Sequence, residues 1–106
     1  MTHSNDIQLE LEDLLANMRF ARKHNELGRL ALLAYCEVKG WARRAGKPDV
    51  ADKALQMFSQ CPHLTKQEFI EDINSLIARL ALHEQEYQRT NARYALNVSA
   101  APLAMG

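Results

Sequence analysis

The chain is poor in the residues that build special chemistry: among its 106 residues are four glycines, three prolines and two cysteines. The glycines fall at positions 28, 40, 46 and 106. They are too scattered for a phosphate-cradling loop, which needs several close together at the start of a helix. Cys36 and Cys61 do not read as a disulfide framework in a chain large enough to build its own core, so free, partly buried thiols are expected. Neither sign of charge is in excess, since thirteen basic side chains face thirteen acidic ones. That removes the global electrostatic argument for a polyanion or a membrane surface as partner. Long apolar runs are missing as well: stretches such as Leu30 to Cys36 and Leu76 to Leu82 fall far short of the roughly 20 residues that cross a bilayer. No lysine or arginine precedes Arg19, so the basic start of a secretory signal is not there and a cytoplasmic location is the expectation. Strict apolar alternation and Asn-Gly or Asp-Gly hairpin signals are also lacking, which argues against strands.

What is present is helical periodicity on an ordinary globular composition, 47% hydrophobic and 25% charged. A first helix over about 6–23 carries Ile7, Leu11, Leu14, Leu15, Met18 and Phe20 or Ala21 at three-and-four spacing. After a weak break at His24, Asn25 and Gly28, a second helix over 26–45 repeats Leu27, Leu30, Ala34, Val38, Trp41 and Ala45 on one face. Leu32 and Leu33 fall off that stripe, and Gly40 beside Trp41 reads as a packing glycine. Gly46-Lys47-Pro48 stops this helix and starts the next, because glycine takes the left-handed cap and proline suits a first turn. The third helix, 49–60, carries Val50, Ala51, Ala54, Leu55, Met57 and Phe58 before Pro62 ends it. Thr65 and Glu68 form a capping box, each side chain satisfying a backbone donor near the other. A long fourth helix, 65–95, follows, with an apolar stripe that fades after Leu82.

The fold expected is therefore all-α, an irregular antiparallel four-helix bundle with a long C-terminal helix. Residues 1–96 form its single domain and 97–106 a disordered tail. Helices two and four are expected at the centre, with Leu30, Ala34, Val38 and Trp41 facing Phe69, Ile73, Leu76 and Leu80. Met18, Met57, Phe20, Phe58, Phe69 and Trp41 are read as core.

Three constellations bear on function. Residues 19–47 hold eight basic side chains against two acidic ones, a net charge of +6. A basic interaction face of Arg22, Arg29, Lys39, Arg43, Arg44 and Lys47 follows, able in principle to neutralise phosphates without reading sequence. The alternative is a solvated face paired with the acidic terminal helices. On the fourth helix, Leu80, His83, Tyr87 and Tyr94 keep one register as the stripe fades and offer a face for a second copy or another partner. Cys61-Pro62-His63 contains zinc- and haem-type ligands, but Cys36, His24 and His83 do not complete a known ligand spacing. No catalytic set, cofactor or metal is expected. By elimination the sequence reads as a small non-enzymatic protein-interaction module, a regulator, adaptor or chaperone-like protein acting through a helical surface, with a homodimer as a side expectation. Nonspecific nucleic-acid binding and a small metal- or haem-responsive protein stand as alternatives.

Overall fold

The computed structural model describes the backbone of residues 4–60 and 65–105 and the side chains of residues 6–59 and 65–90. It is all-α: α1 spans Ser4–Lys23, α2 residues 27–45, α3 Pro48–Gln60 and α4 Lys66–Met105. The turns between helices are built by the chain's own chemistry. After α1, Asn25 takes a left-handed backbone with φ 55°. The Glu26 N–H reaches back to the Ala21 carbonyl at 2.9 Å and the Asn25 N–H to Arg22 at 3.3 Å, the paired bonds of a Schellman stop. Gly46 repeats the device after α2 with φ 68°. There the Lys47 N–H bonds Ala42 at 2.8 Å and the Gly46 N–H bonds Arg43 at 3.3 Å. At the head of α4, Thr65 Oγ1 accepts the Glu68 N–H at 3.1 Å. The reciprocal half of the expected box differs, since the Thr65 hydroxyl donates to the Glu68 carboxylate at 3.1 Å.

Each helix packs mainly on its neighbours in sequence, and α1 closes on α4. Polar links across these seams show that neighbours run antiparallel. The Trp41 Nε1–H near the end of α2 donates to the carbonyl of Ile7 near the start of α1, at 2.9 Å. The Arg22 Nε–H late in α1 donates to Asn74 Oδ1 early in α4, at 3.0 Å. Lys53 of α3 meets Asp72 of α4 at 3.2 Å. In such a four-membered ring α2 and α4 stand on a diagonal. The expectation that they share the main interface is thus corrected: Leu30, Val38 and Trp41 meet Ile73, Leu76 and Leu80 only in the central core, while Phe69 is half-buried at its edge. Among the described residues, all of the fully hidden large side chains, Trp41, Leu11, Leu15, Met18, Met57 and Leu76 among them, belong to this one cluster.

Within α2, residues Leu33–Val38 form a π-helical segment. In an uninterrupted α-helix Leu33 and Val38 would lie about 140° apart, at 3.6 residues per turn. The wider turn narrows that angle, and both side chains are buried, at 4% and 0% exposure. Leu33, off the stripe by simple periodicity, joins the core by this route, while Leu32 is left outside at 62% exposure.

The 40-residue α4 corresponds to about 60 Å of helix, and the longest dimension of the molecule is 62 Å. Its last partly buried apolar side chain against the core is Tyr87. Beyond it the backbone continues as helix to Met105, past the expected end at 95.

Candidate interaction surface

The core accounts for one apolar stripe on α3, Val50, Ala54 and Met57, spaced four and three residues apart. A second stripe lies beside it: Ala51 is half-buried, and Leu55 and Phe58 are 49% and 59% exposed. The second stripe faces outward along the seam with α2. There the Phe58 ring meets the edge of Tyr35 at 5.4 Å between centroids, with an interplanar angle of 80°, a favoured aromatic geometry. Leu32 stands three residues before Tyr35 on α2, as Leu55 does before Phe58 on α3, so each pair shares a helical flank. By helical spacing Leu32 flanks Tyr35 and Leu55 flanks Phe58, so the aromatic pair and the two leucines form an apolar ridge on the surface. The reading of Phe58 as core is corrected: a helix in a corner of a bundle has two inward flanks, and Phe58 lies just outside both. Phe20 is likewise exposed, at 53%, and its place in the core is taken by Ala21; the Phe20 ring rests on His24 at 4.3 Å.

The same seam continues toward the Gly46 turn. Lys39 lies one helical turn beyond Tyr35, and Arg43 one turn beyond Lys39. A hollow of about 310 Å³ follows, lined by Ala42, Arg43, Gly46, Lys47, Pro48, Ala51 and Asp52. No ion pair among the described residues involves Lys39 or Arg43. The Lys47 ammonium sits 5.3 Å from the centroid of the Tyr87 ring, within cation–π range.

The basic face expected from sequence is thus divided. Lys39, Arg43 and Lys47 gather on the α2–α3 seam. Arg22 is turned to Asn74 on α4, Arg29 to Glu26 at 3.9 Å in its own first turn, and Arg44 pairs with Glu10 of α1. Arg44 also borders a groove of about 430 Å³ between α1 and α2, with Glu10, Asp13 and Glu37 on its walls and Leu14 and Trp41 in its floor. Gly40 lines this groove. A Cβ there would meet only the flexible Arg44 guanidinium, at 3.3 Å, so Gly40 does not serve close helix packing. Cys36, expected partly buried, is exposed at the same groove because the polar flank of α2 carries it. Cys61 and His63 lie outside the described residues.

The face foreseen for a second copy is largely consumed inside the bundle. Leu80 is fully buried and has no surface to lend. His83, with 13% of its side chain exposed, faces Asp49 at the head of α3: its Nε2 lies 3.0 and 3.2 Å from the two carboxylate oxygens. Glu86 stands 3.5 Å from His83 Nδ1, Arg79 3.9 Å from Asp49, and the Trp41 ring 6.4 Å from the imidazole. Burial pushes the Asp49 carboxyl up, but the hydrogen bond and charge of His83 and the backbone N–H groups of Val50 and Asp49 outweigh it. The carboxyl is held below its ordinary value. Tyr87 is half-buried beneath Lys47, and the side chain of Tyr94 lies outside the described residues.

Among the described residues no group of three or more His, Cys, Asp or Glu is placed to hold a metal ion, and no helix is long and apolar enough to cross a membrane. Comparison with known proteins returns no match to a family model, to a curated protein or to a solved structure.

Proposed function

We infer that the protein is an interaction module that docks a helical segment of another protein along the seam of α2 and α3. One observation carries this reading: Leu32, Leu55 and Phe58 stand 62%, 49% and 59% exposed around Tyr35 as one apolar ridge. Apolar side chains clustered on a surface are a recurrent mark of contact sites. An aromatic pair at its centre fits the composition of interface anchors. The ridge lies along the seam of two helices, toward the hollow at the Gly46 turn, and an amphipathic helix can lay its apolar face along such a surface. Tyr35 lies within the π segment Leu33–Val38, and such segments recur at functional sites.

A photo-crosslinking amino acid placed at position 58, with position 20 as the exposed aromatic control, tests this in native cell extract. A crosslinked protein is expected at 58 and not at 20, and it should vanish when Leu32 and Leu55 are both changed to serine. Equal crosslinking at both positions, or a product indifferent to those changes, overturns the reading.

A further inference from the structure

We propose that the segment docking on the α2–α3 seam is an acidic amphipathic helix, with its apolar side chains on Tyr35 and Phe58 and its carboxylates over Lys39 and Arg43. This rests on the docking reading above and adds the chemistry of the occupant. The seam from Leu32 to Lys47 is about 22 Å long at the rise of an α-helix, enough for about four turns of a partner. Along it the chemistry changes in order. The first half is apolar, and the second carries Lys39, Arg43 and Lys47 against the single carboxylate of Asp52 in the hollow. Elsewhere on the described surface three arginines meet a carboxylate: Arg44 meets Glu10, Arg29 meets Glu26 and Arg79 meets Asp49. Lys39 and Arg43 make no ion pair among the described residues, and they stand one and two turns from the aromatic pair. A helix with apolar anchors at i, i+3 and i+7 and carboxylates one and two turns further on would meet both halves at once. Between the two cations and Pro48, the Ala42, Gly46 and Ala51 side of the hollow leaves room for one more apolar side chain. Charge complementarity of this kind fixes register and raises the association rate more than it adds affinity.

The test uses the full chain and three synthetic probes. These are a peptide of about 16 residues with leucines along one helical face and glutamates on its flank, the same peptide with glutamine at every glutamate, and a single-stranded oligonucleotide. Binding is followed by fluorescence anisotropy at about 50 mM and about 300 mM salt, since a contact between exposed charges weakens as screening rises. The acidic peptide should bind about tenfold more tightly than its glutamine counterpart at low salt. That advantage should disappear in K39E/R43E and shrink in K39Q/R43Q, with helical content unchanged in both. Phe58→Ser should weaken both peptides alike. Equal binding of the two peptides overturns the acidic occupant and leaves the docking reading standing. Failure of both peptides, with the position-58 crosslink retained, overturns the acidic amphipathic helix alone; failure with the crosslink also lost overturns both. Salt-sensitive binding of the oligonucleotide that displaces the acidic peptide overturns the proposal in favour of a nucleic acid.

Discussion

Helix α2 has two flanks, and they are finished in opposite ways. Toward α1 the seam is closed by polar links across it: the Trp41 Nε1–H on the Ile7 carbonyl at 2.9 Å and Arg44 on Glu10. Trp41 itself is 1% exposed. Toward α3 the seam is held by apolar contact and one aromatic pair, and much of its apolar surface stays in water. Surface that remains hydrated on folding adds nothing to hydrophobic stabilisation, so the two flanks should differ in what they contribute to the fold. The closed flank fixes the register of the bundle, and the open flank is left for something else.

The largest effect should come from the closed side. Trp41→Ala is expected to destabilise the protein by about 3–5 kcal/mol in urea unfolding, through the cavity it leaves and the loss of the indole hydrogen bond. A loss under about 1 kcal/mol would erase the contrast between the flanks. Next, Gly46→Ala should cost about 1–2 kcal/mol, because a Cβ disfavours the left-handed backbone on which the α2 stop depends, while nothing lies within 4 Å to obstruct it. A thermal midpoint unchanged by this substitution would show that the turn is not fixed as described. Smaller again is the pH term at the α3 head. Because the folded carboxyl of Asp49 is held below its ordinary value of 3.8, its contribution is present above that value. It is lost as the pH falls through the lower folded one. Asp49→Asn should therefore flatten the acid limb of stability below about pH 4, read by circular dichroism; an acid limb as steep as that of the parent protein would count against the His83 contact. The smallest stability effect belongs to the open side: Phe58→Ser should shift stability by about 0.5 kcal/mol or less. A loss of several kcal/mol would mean that Phe58 is a structural member of the core and would sharpen the boundary against it.

The sequence made the helices and their ends legible where local chemistry decides them. Gly46-Lys47-Pro48 marks a turn because one residue must be left-handed and the next cannot extend a hydrogen-bonded ladder. Thr65 and Glu68 mark a start because a side-chain oxygen replaces a missing carbonyl. The stripe of Val50, Ala54 and Met57 is buried as its spacing implies. Other features depend on what stands opposite. Leu33 enters the core only because the π segment rewinds α2, and no composition signal announces five-residue bonding. Phe58 and Leu55 were indistinguishable from core by hydrophobicity, although the paired stripes 50/54/57 and 51/55/58 on so short a helix already carried more apolar arc than one interface uses. The six cations read as one face sit on a single stretch of chain, but the rotation of α2 between α1 and α3 sends Arg44 to one flank and Lys39 and Arg43 to the other. Leu80 keeps the register of His83 and Tyr87, yet it is fully buried, and packing against the core reaches Tyr87, beyond the fade after Leu82 that the sequence suggests.

The ring order of the helices also governs how quickly the native state is reached. Three of its four seams join helices adjacent along the chain, so they form by short-range encounters that lose little loop entropy. Only the seam between α1 and α4, with Arg22 and Asn74 52 positions apart, demands a distant meeting. Low contact order of this sort places the protein among rapid folders, on a scale of microseconds to milliseconds. Closure of that last seam is the step whose weakening, by Asn74→Ala for example, should slow folding most if it belongs to the transition state.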